Sequence, residues 1–240
     1  MLNYLQNILI FLFLYIPPLV LFLIHSLRKG KNKIILFLIS IFYLSMAIYT
    51  QNILPFILVL IDIKYIKQDN SLNYANVSEE YIRYNFDIKK FKVSKGLKYA
   101  ITTYGITIVV NIVIALVLNA YNVNLKEQEI VSELSRGSLK QLIYMIPIMV
   151  IFAPVLEEFT FRWLLFEKLF APRVGIYISA IISSILFSLV HFNVRSFPVL
   201  LVISFINCYV IHQKGYWYSV FNHLVFNSVT VFIMLYQKIN

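Results

Sequence analysis

The feature that most constrains this chain is a series of apolar runs, each about long enough to cross a membrane. A run of about 20 apolar residues spans the roughly 30 Å hydrocarbon core of a bilayer. Such runs predict helices at 5–27, 97–118, 139–166, 176–192, 197–211 and 216–236. Only 13% of the residues are charged, whereas a soluble domain has about a quarter. The chain therefore has too few charges to cover a water-soluble surface, and we predict an all-α, polytopic transmembrane bundle.

The stretch 34–63 contains thirty mostly apolar residues, interrupted by Gln51, Asn52 and Pro55. If it crosses the membrane once, the two most basic connections lie on opposite sides. If it forms two short passes or a re-entrant hairpin, both connections lie on one side. Cytoplasmic loops retain Lys and Arg, so we prefer the second arrangement and predict seven to eight helices.

The first apolar run is expected to remain as an uncleaved helix. No Lys or Arg precedes it, and Leu5 to Leu27 is long enough to span, whereas a secretory signal has a basic start and a shorter apolar core. The adjacent Pro17 and Pro18 predict a kink, because proline removes a backbone donor from the helix.

The polar segment 64–96 divides the chain into 1–63, with the N-terminal transmembrane helices, and 97–240, with the core that carries the motifs. Residues 64–98 hold eight of the 21 Lys and Arg residues, which predicts a cytoplasmic loop, with a surface helix around Glu79 to Phe86. Membrane topology explains the net charge of +10 without a nucleic-acid partner. The expected environment is a lipid bilayer, and the richness in Ile, Lys and Asn suggests a bacterial cell membrane.

Ionisable residues inside membrane spans are candidates for function, because a charge at the bilayer centre costs about 2.5–3.5 kcal/mol on insertion scales. The run PVLEEFTFRWLLF contains Glu157, Glu158 and Arg162. Glu158 and Arg162 are four residues apart and can pair on one helix face. Glu157 lies about 100° round the helix from Glu158, so it is expected to face a cavity. The alternative is a purely structural ion pair near a helix end.

Two further polar groups lie in the C-terminal spans. His191 ends the run SAIISSILFSLVH, one turn after Phe187, and His223 is four residues before Asn227 in the last span. Polar groups in such positions need partners inside the bundle, since lipid offers none. The alternatives are an interfacial histidine for His191 and plain helix–helix hydrogen bonds for His223 and Asn227.

Three other polar residues in the apolar runs are expected to have no chemical role. Asn111 and Asn207 lack a pairing like that of His223 with Asn227 and are interpreted as helix–helix contacts. Asp62 stands at the end of an apolar run and is expected at the membrane interface.

The motifs resemble those of a known family. EEFTFR (157–162) matches E-E-x-x-x-R, FSLVH (187–191) matches F-x-x-x-H, and HLVFN (223–227) matches H-x-x-x-N. Order and spacing resemble the CAAX-protease and bacteriocin-processing family (CPBP or Abi) of intramembrane proteases, over roughly residues 140–236. One departure is the helix before the last, which is often glycine-rich in that family and here has Ser204 and Cys208 as its small residues.

The resemblance implies a helical bundle around a polar cavity and hydrolysis of a peptide bond near the end of a membrane-associated peptide or protein. Bacterial relatives are linked to peptide maturation, including bacteriocin processing, to export and to self-immunity. The implied catalytic residues are Glu157, His191, His223 and Asn227, and the implied supporting residues are Glu158, Arg162 and Phe187.

The expected chemistry is water activation by Glu157 and His191, with His223 and Asn227 donating hydrogen bonds to the oxyanion. These four side chains, from three helices, are then expected within about 8 Å of one centre, because base and donors must reach the same carbonyl.

Metal dependence stays open. Zinc accepts two His and one Glu with an open fourth position, so Glu157, His191 and His223 are the ligands to expect in a metalloprotease. The chain has no H-E-x-x-H helix, and a Glu/His pair activates water unaided, so we favour the metal-independent route.

A non-catalytic role is the main alternative function. The same polar cavity in a bacteriocin-immunity factor or a regulatory membrane protein would only bind a peptide or partner. A small transporter would instead show paired interrupted helices in two related halves, and the sequence has none.

Overall fold

The computed structural model describes residues 2–50, 52–73, 86–125 and 129–239, and within these residues the chain forms nine helices. They are α1 (Leu2–Ile10, continuing through Phe11–Tyr15 and Ile16–Arg28), α2 (Lys33–Ala47), α3 (Ile53–Asn73), α4 (Val93–Ala120), α5 (Glu129–Arg136), α6 (Leu139–Val174), α7 (Ile176–Val190), α8 (Phe197–Lys214) and α9 (Tyr216–Ile239). Helices α1, α4, α6, α8 and α9 are long and apolar enough to cross a membrane, and α2 and α7 are shorter apolar helices. The predicted all-α transmembrane bundle is confirmed.

The six helices predicted from apolar runs are present in the structure. The largest difference is α6, which continues from the predicted end at residue 166 to Val174. The described residues form nine helices, and eight remain when the short helix α5 of the connection 119–138 is set aside, which agrees with the seven to eight predicted for the bundle.

The stretch 34–63 forms two helices, α2 and α3, separated by a turn near the predicted break. The Asn32 side chain starts α2 by accepting hydrogen bonds from the amides of Ile34 (2.8 Å) and Ile35 (3.4 Å). The two basic connections meet at one end of the bundle, where the Lys29 ammonium donates to Gln68 Oε1 at 3.2 Å and lies 4.3 Å from the centre of the Tyr65 ring.

Helix α3 corrects two expectations. It continues to Asn73, so the first ten residues of the predicted polar loop are helical. Because the helix extends past Asp62, this residue lies within the bundle and its side chain is completely buried, not interfacial. Neither Asp62 oxygen has a hydrogen-bond partner among the described residues.

Phe86 anchors the polar connection to the C-terminal helices. The rest of the predicted surface helix lies outside the described residues, but Phe86 is buried, with its ring centre 5.4 Å from that of Trp163 and 4.8 Å from that of Tyr216. The Trp217 indole donates to the Phe86 carbonyl at 2.8 Å. This contact fixes the start of the second half of the chain against α6 and α9.

Wide helical turns of the π type interrupt α1 and α6 next to prolines. In α1 they cover Phe11–Tyr15, before the Pro17–Pro18 pair, and in α6 they cover Ile148–Phe152 and Glu158–Phe170. Proline leaves a carbonyl without its helical donor, and a wider turn accommodates that loss. The motif EEFTFR therefore does not follow the 3.6-residue period assumed from the sequence.

Glycines form two of the three connections between the last four helices. Gly175, between α6 and α7, has a φ of 80°, and Gly215, between α8 and α9, has a φ of 98°. Glycine adopts such angles without the penalty that a Cβ imposes. These turns place α6, α7, α8 and α9 side by side, and the three motifs lie on α6, α7 and α9.

Candidate active site

Glu158 lies at the centre of a fully buried polar cluster. The exposed fraction is 0% for both the Glu158 and the Arg162 side chain, and the Arg162 Nε is 3.4 Å from Glu158 Oε2. A buried carboxylate is stable only when its charge is paired and its oxygens accept hydrogen bonds. The i,i+4 pair expected from the sequence is thus observed.

Three further donors from other helices reach the same carboxylate. Glu158 Oε1 accepts from Asn207 Nδ2 on α8 at 2.9 Å and from His223 Nδ1 on α9 at 2.8 Å. Glu158 Oε2 accepts from the Ser219 hydroxyl. Both oxygens are therefore occupied, and Glu158 is not available as a base.

Glu157 occupies a different environment. Its side chain keeps 13% of its surface exposed, and its Oε2 lies 3.7 Å from His223 Nε2. The two nitrogens of the His223 ring thus face two adjacent carboxylates, with Nδ1 on Glu158 and Nε2 toward Glu157. Glu157 is the acid of the pair that remains partly accessible.

His191 is oriented by the backbone of its own helix. Its Nδ1 lies 2.8 Å from the Phe187 carbonyl oxygen. Since a carbonyl can only accept, Nδ1 is the donor and Nε2 of the neutral ring is left as an acceptor. The His191 and His223 rings both contact the ring of Phe187, so His191 lies beside the same cluster.

The ring of Phe187 packs against both histidines and against the Arg162 guanidinium. Its centre lies 4.7 Å from that of His191 and 5.9 Å from that of His223, and the Arg162 guanidinium carbon is 3.9 Å from it. The aromatic face supports the cation, and the same ring contacts both imidazoles.

Asn227 is one turn beyond His223 on α9 and is half-buried. Its Nδ2 donates to the Met149 carbonyl at 2.8 Å, within the first wide-turn segment of α6. An amide NH₂ group carries two protons, so this contact uses one and leaves the second for another acceptor.

Sequence reasoning gave no site role to Asn207, Ser219 or Asn222. Asn207 was interpreted as a helix–helix contact, and it does join three helices, but it does so through Glu158. One signal was present: Ser219, Asn222 and His223 have the i, i+3, i+4 spacing of one helix face.

The described residues do not assemble the three zinc ligands expected for a metalloprotease. No group of three His, Cys, Asp or Glu side chains in the described ranges is arranged to hold a metal ion. We therefore assign no step of the chemistry to a metal.

The fold and the cluster define a class: a polytopic helical membrane protein with a buried carboxylate–histidine site. Residues 139–229 match the family model described as "Type II CAAX prenyl endopeptidase Rce1-like". The matched region contains all three motifs, so the match supports the resemblance to the CAAX-protease and bacteriocin-processing family.

A protein of Bacillus subtilis (strain 168) named "Putative membrane peptidase YdiL" is 26% identical over 103 residues. The match covers 41% of this chain and spans 42% of the length of that relative. No solved structure matches the chain significantly.

Proposed function

We propose that this protein is an intramembrane endopeptidase that hydrolyses a peptide bond of a membrane-associated peptide or protein. The family match over the motif region and the name of the Bacillus relative support peptidase chemistry. The five long apolar helices support a multi-pass membrane location, which we assign to a bacterial cell membrane.

The observation that carries the proposal is the difference between two adjacent carboxylates. Glu158 is fully buried and held by donors on both oxygens, whereas Glu157 is partly exposed and has a histidine nitrogen beside it. A general base must be able to reach the proton that it abstracts. Of the two acids, only Glu157 is accessible and has a neighbour, His223, whose free ring nitrogen can accept the proton.

In the proposed reaction, Glu157 takes a proton from water while the hydroxide oxygen attacks the scissile carbonyl. His191 Nε2 accepts a hydrogen bond from the same water, since its Nδ1 is engaged with Phe187. The proton on Glu157 then moves to His223 Nε2 and from there to the leaving amine.

The negative charge that develops on the carbonyl oxygen requires hydrogen-bond donors. Because His223 Nδ1 already donates to Glu158, Nε2 becomes a donor once it has received the proton from Glu157. It donates a hydrogen bond to the oxyanion of the tetrahedral intermediate before it passes this proton to the leaving amine. Asn227 supplies its remaining amide proton. Removing one such donor typically costs about 2.7–4 kcal/mol of transition-state stabilisation.

The test compares the peptide termini of the membrane proteome from cells that produce the wild type, Glu157→Gln or Glu133→Gln. Glu133 is an exposed carboxylate on α5 and serves as the matched control. We expect a set of peptide termini that is present with the wild type and with the control. The same termini should be absent with Glu157→Gln when the three proteins are equally abundant.

Identical termini in all three strains, with the proteins equally abundant, would contradict the protease proposal. The same cavity would then serve binding alone, as in an immunity or regulatory protein. Capture of the same peptide by wild type and Glu157→Gln would identify that role.

A further inference from the structure

We propose that Asn207 is a positioning residue, which fixes the Glu158 carboxylate so that His223 keeps Nδ1 bound and directs Nε2 toward Glu157. The geometry stands by itself, while its catalytic consequence rests on the proposed function. Asn207 lies on α8, which carries none of the three motifs.

The orientation of the Asn207 amide follows from the chemistry of its partners. A carboxylate oxygen only accepts, so the Asn207 atom 2.9 Å from Glu158 Oε1 is the NH₂ nitrogen. The carbonyl oxygen of Asn207 then faces Asn222, which must present its own NH₂ group, at 2.6 Å. The two amides therefore have one consistent arrangement, fixed at one end by the charge of Glu158.

The same carboxylate sets the orientation of the His223 ring. Glu158 Oε1 is shared by Asn207 Nδ2 and His223 Nδ1, and Glu158 Oε2 is held by Ser219 and lies 3.4 Å from Arg162. Donors on both oxygens stop the carboxylate from rotating. The ring of His223 thus has a fixed acceptor on its Nδ1 side.

Removal of the Asn207 side chain would change the orientation of the Glu158 carboxylate. Glu158 Oε1 would lose one of its two donors, while the donors on Oε2 would stay, so the carboxylate would turn toward Arg162. His223 Nδ1 would lose its fixed partner, and both ring tautomers would be populated. A histidine in the wrong tautomer loses most of its catalytic effect, as removal of the orienting carboxylate from a serine-protease triad shows.

The first test uses ¹⁵N NMR to measure which ring nitrogen of His223 is protonated, and it does not depend on activity. The full chain is labelled with ¹⁵N-histidine in detergent micelles; it has four histidines, and His223→Gln identifies the His223 signals. In the wild type we expect separate signals for a protonated Nδ1 and for Nε2. In Asn207→Leu the two signals should move toward a common averaged position. Wild-type signals in a folded Asn207→Leu protein would overturn the proposal.

The control is Asn111→Leu, the same substitution on an exposed site of α4, which should leave the signals unchanged. If Asn207→Leu does not fold, Asn222→Ser removes only the amide that orients Asn207. We then expect a smaller displacement in the same direction, and unchanged signals in this folded variant would overturn the proposal.

The second test uses a cleavable substrate found in the proteome comparison. We expect Asn207→Leu to lower kcat by about tenfold or more, as loss of an orienting partner commonly does, with KM changed by less than about twofold. An altered His223 spectrum without any proteolysis in the wild type would support the positioning role and reject the proposed function. Equal kcat for Asn207→Leu and Asn111→Leu would reject the positioning role.

Discussion

At the scale of residues, the site shows how two adjacent acids of one type take different roles. Glu158 is completely buried, paired with Arg162 and bonded to α8 and α9, so it holds helices together. Glu157 keeps partial exposure beside His223. Their difference comes from Arg162, four residues along the same helix, and from the donors on α8 and α9.

Glu158→Gln is expected to destabilise the protein by about 3–5 kcal/mol, because it leaves the fully buried Arg162 without a counter-charge. Glu157→Gln should leave stability near that of the wild type, since Glu157 is partly exposed and is not needed to neutralise a buried cation. Unfolding of the purified proteins in detergent, followed by circular dichroism, measures both. Equal stability of the two variants would show that the assignment of roles is wrong.

Metal removal provides a further prediction at this scale. Because the described side chains form no three-ligand group, cleavage should persist after treatment with 1,10-phenanthroline and dialysis. The non-chelating isomer 1,7-phenanthroline is the matched control for nonspecific inhibition. Loss of cleavage with the chelator alone, and its recovery when zinc is added, would establish the metalloprotease alternative.

At the scale of elements, apolar runs predicted six of the helices of the bundle, because hydropathy reports which residues face lipid. It does not report where a helix ends once the chain leaves the apolar core, which is why the extension of α3 to Asn73 was missed. The prolines predicted a distortion of α1, but the wide turns through Glu158–Phe170 had no sequence signal that we used.

The candidate site was only partly predictable for a related reason. The motif residues are visible because each is polar within an apolar run. The contribution of Asn207 depends on the packing of α8 against α6 and α9, which no local pattern encodes. The burial of Asp62 likewise depends on helices that lie far apart in the sequence.

Anchoring of the polar connection is testable through Phe86. Phe86→Ala should destabilise the protein by about 3–5 kcal/mol, the usual cost of removing a buried aromatic ring. Ile88→Ala, at a site that is 58% exposed in the same connection, should change stability by less than about 0.5 kcal/mol. Similar unfolding curves for both variants would mean that the aromatic contacts of Phe86 contribute little.

At the scale of the whole molecule, contacts between connections define two ends of the bundle. At one end Lys29 meets Gln68, the Phe86 carbonyl meets Trp217, and the Lys92 amide donates to the Tyr218 hydroxyl at 3.0 Å. At the other end the Lys238 ammonium donates to the Ser135 carbonyl at 3.0 Å. Both basic connections thus lie at the first end, which agrees with a hairpin formed by α2 and α3.

The side of the membrane on which the basic end lies gives the last prediction. Cytoplasmic loops keep an excess of Lys and Arg, so single cysteines introduced by Lys31→Cys and Lys90→Cys should resist a membrane-impermeant maleimide in intact cells and react after lysis. Val123→Cys, beyond the single span of α4 and 45% exposed, should react in intact cells. The parent protein is the background control, because its one cysteine, Cys208, is fully buried. Labelling of Lys90→Cys but not of Lys31→Cys in intact cells would contradict the two-helix hairpin. Labelling of both lysine positions without labelling of Val123→Cys would show that the basic end of the bundle faces the outside of the cell. Protection of both lysine positions together with labelling at residue 123 would place the first end of the bundle, including the Phe86 anchor, in the cytoplasm.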